Sequence, residues 1–253
     1  GDSVIATANT STSYKVIGTS SFGCSDSAIA IVNIYPKPIV QINHNSIDIC
    51  IGTTTNLIAS GAFTYAWTPS TGLSSTTGSN VNTSPASNTI YTVIGTSQIG
   101  GCQDTATSFI GVHAYPILTL SPTTIQICPQ DSATLTAGGA NFYSWSPTVG
   151  LSNISLPQVK ASPDSTLTYT LIGSNLYGCT DTLSTVITVS PIPVISGNNY
   201  ICAGDSTTLS VVNNLPGASY IWNTGSVNSS ITVSPLITTT YTVTATDGVT
   251  SCT

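Results

Sequence analysis

Short runs of alternating apolar and polar residues recur along the whole chain. "TTNLIAS" (54–60) and "SATLTAG" (132–138) share this pattern, as do "IYTVIG" (90–95) and "TYTLIG" (168–173). A period of two predicts half-buried β-strands. No stretch carries a helical period. Clusters of Gly, Pro, Ser and Asn separate the runs and predict tight turns. Seven or so short strands are expected in each stretch of roughly 77 residues, the arrangement of a β-sandwich.

The same stretch is written several times. "YAW" at Tyr65–Trp67 returns as "YSW" at Tyr143–Trp145 and "YIW" at Tyr220–Trp222. "YKVIGTSSFGC" from Tyr14 returns as "YTVIGTSQIGGC" from Tyr91, "YTLIGSNLYGC" from Tyr169 and "YTVTATDGVTSC" from Tyr241. Successive Trp residues lie 78 and 77 positions apart. The last copy is shorter between its Trp and its Tyr, 19 residues against 24, and lacks the "GLS" of Leu73 and Leu151. One Trp per full repeat, expected on the third strand, suits a sandwich core, so Trp67, Trp145 and Trp222 are assigned to the core rather than to a ligand platform.

Proline-containing joints at "IYPKPIV", "AYPILTL" and "SPIPVIS" divide the chain. Residues 1–36 match the last third of a repeat, 37–115 and 116–191 are full repeats, and 192–253 form a repeat without its last strand. Such short joints favour end-to-end stacking with limited bending. The reading is an all-β protein of tandem immunoglobulin-like (PKD-like) β-sandwich domains in a linear array. Its incomplete repeats at either end fit a segment of a longer array or completion by a neighbouring molecule.

The stretch "ICPQDSATLTAGGANFYSWSPTVGLS" (127–152) resembles the PKD-like and Ig-like repeats of large secreted Bacteroidota surface proteins. Gliding adhesins and exported proteins with a type IX secretion tail are among them. The resemblance covers the whole chain and implies a fold and an extracellular or cell-surface location more sharply than any single function.

Seven cysteines form two series. Cys50, Cys128 and Cys202 precede the second strand; Cys24, Cys102, Cys179 and Cys252 lie at the hairpin between the last two strands. Without a CxxC or Cys/His cluster, zinc is disfavoured, and disulfides fit a secreted chain. Two pairings are open. Within a repeat, Cys50 would join Cys102, Cys128 would join Cys179 and Cys202 would join Cys252. If strands alternate in direction, however, those cysteines sit at opposite ends of a domain. A six-residue strand already spans about 20 Å, while a disulfide needs Cα atoms within about 7 Å. Bridges between consecutive domains, Cys50–Cys179 and Cys128–Cys252, avoid that conflict and are preferred.

Composition adds a further puzzle. Only 5% of residues are charged and the net charge is −6, against about 25% charged in ordinary domains. Three lysines (Lys15, Lys37, Lys160) cannot build a phosphate-binding patch, so nucleic acid is excluded as a partner. No apolar run reaches the length of a membrane-spanning helix. Seven of the nine acidic residues, all Asp, open an Asp-Ser/Thr-x triplet: Asp2, Asp26, Asp104, Asp131, Asp164, Asp181 and Asp205. Turn chemistry explains part of this, because Asp before Ser or Thr supports tight turns. The third residue resembles the Bacteroidota O-glycosylation signal, Asp-Ser/Thr followed by an aliphatic residue or Thr. That resemblance implies Ser3, Ser27, Thr105, Ser132, Ser165, Thr182 and Ser206 as acceptors. Glycans would keep a nearly uncharged surface hydrated.

Catalytic chemistry has little to work with. His44 and His113 occupy different repeat positions and are expected at the surface, no nucleophile elbow occurs, and the Asp residues do not form a calcium loop. The expectation is therefore no enzyme, no cofactor and no metal. Instead, the sequence points to a glycosylated segment of a surface fibre, stalk or adhesin shaft. A carbohydrate-binding or adhesin-tip module and the spacer domains of a secreted hydrolase are the alternatives.

Overall fold

The computed structural model describes residues 3–212, 217–248 and 252; Asp2 of the first triplet lies outside them. All regular elements among the described residues are β-strands. The chain divides into two compact units, Gly1–Ala114 and Tyr115–Thr253.

The first unit begins with a two-stranded hairpin. β1 (Thr12–Thr19) pairs antiparallel with β2 (Ser25–Val32), from Thr12 opposite Val32 to Thr19 opposite Ser25. Neither strand is buried, and Val16, Ile17, Ile29 and Ile31 are all exposed. A sandwich follows: β3 (Gln41–Ile42), β4 (Ser46–Cys50), β5 (Thr55–Ser60), β6 (Thr64–Thr68), β7 (Asn80–Thr83), β8 (Thr89–Thr96) and β9 (Gln103–His113). One sheet has the order β3-β5-β7, the other β4-β9-β8-β6. All pairs are antiparallel except β4 with β9. The alternating pattern explains the core: every second residue of β5 and β8 points inward, placing Leu57, Tyr91 and Val93 with Val81 and Ile110 around Trp67.

The second unit repeats this sandwich with β10 (Thr119–Ser121), β11 (Thr124–Ile127), β12 (Ala133–Gly138), β13 (Phe142–Ser146), β14 (Gln158–Ala161), β15 (Leu167–Ser174) and β16 (Thr180–Val189). Its sheets are β10-β12-β14 and β11-β16-β15-β13, with β11 parallel to β16. A smaller sandwich follows, made of β17 (Val194–Ser196), β18 (Thr207–Val212), β19 (Ser219–Trp222), β20 (Ser230–Val233) and β21 (Val243–Thr246), with orders β17-β18-β20 and β19-β21. Leu73 and Leu151 each make a bridge, to Thr83 and Ala161, which gives the "GLS" motif a backbone role in the two full repeats.

Trp67, Trp145 and Trp222 are buried, each with its indole N–H donating to a main-chain carbonyl: Gly78 at 2.8 Å, Leu156 at 2.9 Å and Asn228 at 2.9 Å. In the two full repeats the Trp stands on the fourth element rather than the expected third. The first strand is broken there: β3 and β10 join one sheet, and β4 and β11 cross to the other. The Tyr two places earlier also has a local role. Tyr65 Oη accepts from Ala62 N–H and donates to Ala62 C=O, both at 2.8 Å, and Tyr143 does the same with Ala140.

Two glycines fix where each full repeat starts. Gly61 and Gly139 have φ of +93° and +89°, and a Cβ there would lie 1.8 Å from the Ile39 carbonyl oxygen and 1.9 Å from that of Ile117. The joint residue after each, Val40 or Leu118, is buried in the core of the repeat it precedes. The joints are thus packed into the following sandwich at their last residues.

Candidate functional site

The candidate site is the junction between the two sandwiches of the second unit. Cys128, just past β11, is bonded to Cys252 beyond β21, with Cα atoms 5.4 Å apart and a sequence separation of 124. Beside the cystine lies Asp247, 1% exposed. A buried carboxylate requires donors, and two neutral ones meet it. Gln126 Nε2 donates to Asp247 Oδ2 at 3.2 Å and to Ser190 Oγ at 2.9 Å. Ser190 Oγ donates to the same Asp247 oxygen at 3.0 Å. Gln126 comes from β11, Ser190 from the joint after β16, and Asp247 from the turn after β21, so three segments converge.

The positions follow from the parallel pairing of β11 with β16. It brings Cys128 level with the end of β16, where the Ser190 N–H donates to Ile127 C=O at 3.0 Å. Cys179 stands before the first residue of β16, a ten-residue strand that spans about 30 Å. The within-repeat pairing is therefore corrected: Cys128 does not join Cys179, Cys202 does not join Cys252, and Cys102 and Cys202 carry free thiols, as does Cys24. Cys50, at the end of β4, and Cys179 are each in the disulfide form.

Three of the triplet carboxylates act on the main chain. Asp26 Oδ1 accepts from Ser27 N–H at 2.7 Å and Asp181 Oδ1 from Thr182 N–H at 2.8 Å. Asp104 reaches further, its Oδ2 accepting from the Val40 N–H at 3.1 Å, which ties the joint to β9. These hydrogen bonds, first from Val40 and then from Thr105, hold the Asp104 carboxyl below its ordinary range, with Lys37 adding a smaller attraction. A depressed folded-state pKa means that the carboxylate stabilises the fold above the ordinary Asp pKa of about 4, and that this is lost as pH falls through the lower folded value. The Asp104→Asn variant is expected to lower the urea midpoint of the first unit at neutral pH and to converge with wild type once the pH has fallen below the depressed folded value. A gap that persists in acid would show that the charge is not what matters.

All seven candidate acceptors, Ser3, Ser27, Thr105, Ser132, Ser165, Thr182 and Ser206, are exposed. Ser27, Thr105 and Thr182 sit on β2, β9 and β16 rather than in turns. His113 is not an isolated surface residue: its Nε2 lies 2.7 Å from Asp48 Oδ1, across the β4–β9 pair. Among the described residues no group of three or more His, Cys, Asp or Glu side chains could hold a metal, and no helix is long and apolar enough to cross a membrane.

No protein-family model matches the chain. No curated protein is similar to it. Among solved structures, the chain is similar to the N-terminal eight Ig domains of Down syndrome cell adhesion molecule at 13% identity and a TM-score of 0.32, covering 96% of this chain and 40% of that one. It is similar to titin domains I67–I69 at 14% identity and a TM-score of 0.41, covering 86% and 97%. It is similar to three N-terminal domains of the bacteriophage RB49 outer capsid protein Hoc at 17% identity and a TM-score of 0.33, covering 78% of each. The chain thus spans well under half of the adhesion-molecule fragment. At such values the likeness concerns the tandem Ig-like sandwich alone, which the strand order already establishes.

Proposed function

We propose that this chain is a load-bearing segment of an extracellular fibre, stalk or adhesin shaft. The observation that carries the reading is the Cys128–Cys252 bond, which joins two consecutive sandwiches rather than closing one. A bond placed there adds nothing to either core; it resists separation and bending at the joint. The Gln126–Ser190–Asp247 contacts, of which the Ser190–Asp247 bond is buried, act on the same joint. Cys50 and Cys179 hold the equivalent repeat positions one copy upstream, and the proposal pairs them with each other.

Exposed hydroxyls beside hydrogen-bonded carboxylates support O-glycosylation at Ser27, Thr105 and Thr182, and the exposed hydroxyls of Ser3, Ser132, Ser165 and Ser206 extend it. Sugar there would replace the hydration that charges usually provide. Two measurements on native material test the reading. A non-reducing peptide map is expected to yield Cys128–Cys252 and Cys50–Cys179; Cys50 linked to Cys102 would remove the joint-locking role. Intact mass is expected to exceed that of the bare polypeptide, and the bare mass would remove the glycans.

A further inference from the structure

The outer face of the four-stranded sheet β4-β9-β8-β6 is ordered in rows that cross the strands. The pairing registers set Thr64, Thr96 and Gln103 in one row, Ala66, Ile94 and Thr105 in the next, and Thr68, Thr92 and Thr107 in a third. An aliphatic row thus runs between two polar ones and ends on a candidate glycan acceptor, Thr105. The second unit writes the middle row again as Ser144, Ile172 and Thr182. The β1–β2 hairpin sets Ile17 opposite Ser27.

This placement singles out the acceptors. Strands β2, β9 and β16 each carry further hydroxyls, yet in each ladder with the preceding strand the acceptor alone faces an isoleucine. On β9, Thr107 faces Thr92 and Ser108 faces Tyr91. On β16, Thr180 faces Ser174, Ser184 faces Thr170 and Thr185 faces Tyr169. On β2, Ser25 faces Thr19. The isoleucines add little to a core: Ile17 is 62% and Ile172 40% exposed, and Ile94 is half-buried. On β2 and β16 the Asp before the acceptor also holds the acceptor's own N–H, which fixes the strand where the hydroxyl projects beside its isoleucine.

We propose that the sugars on Ser27, Thr105 and Thr182 lie back across the sheet along this row, with the first pyranose ring seated on Ile17, Ile94 and Ile172. Cross-strand neighbours on one face have Cβ atoms about 5 Å apart, so a ring bonded to the acceptor oxygen reaches the isoleucine directly. A pyranose offers C–H groups on its face and hydroxyls around its rim. The aliphatic floor matches the face, and the threonine rows on either side supply partners for the rim. Ala66 and Ser144, at the far end of their rows, are small and exposed and leave room for a second ring. The inference rests on the O-glycosylation reading above and adds where the sugar lies. Formation of the glycosidic bond, in which the hydroxyl displaces the leaving group of an activated sugar and gives up its proton, belongs to that reading.

The test separates the seat from the sugar itself. Wild type and the Ile94→Thr, Ile94→Val and Ile90→Thr variants are made as full chains in the protein's native cells and, bare, in a host that adds no sugar. Glycopeptide mass spectrometry reads the sugar on Thr105, and urea unfolding reads the stability of the first unit. In the glycosylated chain Ile94→Thr is expected to lower the folding constant about fivefold, the effect of losing about 40 Å² of covered apolar surface. In the bare chain the same exchange, between two good strand formers on a surface, is expected to stay within about twofold. Ile94→Val keeps an aliphatic seat and is expected to stay within about twofold in both. Ile90, exposed on the same strand, faces Phe109 instead of an acceptor, and Ile90→Thr is expected to cost the same with and without sugar. Equal losses from Ile94→Thr in the two forms would overturn the seat and leave glycosylation standing. A native chain with bare Thr105 would remove the glycosylation reading there and the seat with it.

Discussion

Replacing Cys128 and Cys252 together by serine is expected to lower the stability of the second unit by about 5 kcal/mol. The closed loop spans 124 residues, and cross-linking a loop of that size removes about this much free energy from the unfolded chain in the entropy model. The loss should be read in urea, comparing the oxidised wild type with the double variant. Because the bond joins two sandwiches, the variant is also expected to split one transition into two, with the smaller sandwich unfolding first. Among the described residues it has five strands against seven and a smaller set of buried residues. A shift below about 1 kcal/mol with a single transition would mean that the non-covalent contacts alone hold the joint.

The Trp145→Ala variant is expected to cost about 3–5 kcal/mol, the usual range for removing a large buried aromatic. Trp145 is 2% exposed and packs among Leu135, Val159, Leu171 and Ile187. Truncation leaves a cavity and also strips the Leu156 carbonyl of its indole donor. Phe142, three residues earlier on the same strand, is 59% exposed, and Phe142→Ala should change stability by less than about 0.5 kcal/mol. The pair of denaturation curves separates a core aromatic from a surface one. Equal losses would contradict the packing described.

Much of this was legible in the alternation of apolar and polar residues. The repeated "YxW" placed Trp67, Trp145 and Trp222 in three cores, and strand direction alone favoured Cys128–Cys252 over Cys128–Cys179. The split of the first strand was not legible, because "SIDIC" and "TIQI" have the same alternation whichever sheet they join. Asp247 was not legible either. It belongs to none of the Asp-Ser/Thr triplets, and its partners Gln126 and Ser190 are distant in sequence. One signal would have found it. Ser20, Ser97, Asn175 and Asp247 each donate their backbone N–H to the hairpin cysteine's carbonyl, at 2.8, 2.9, 3.0 and 2.8 Å. They therefore share one register, where a lone carboxylate among Ser and Asn stands out. The Asp104 clamp was half visible: the carboxylate was assigned to local turns, but its strongest partner is Val40, 64 positions away.

The chemistry of the joint has a last consequence for the conditions the molecule withstands. Cation–carboxylate pairs weaken when dissolved ions screen them. The junction around Asp247 draws its named donors from an amide and a hydroxyl, both uncharged, and is backed by sulfur. Among the described residues the one close ion pair, His113 with Asp48, lies elsewhere. Raising sodium chloride from dilute buffer to brine should therefore leave the grip of this joint unchanged.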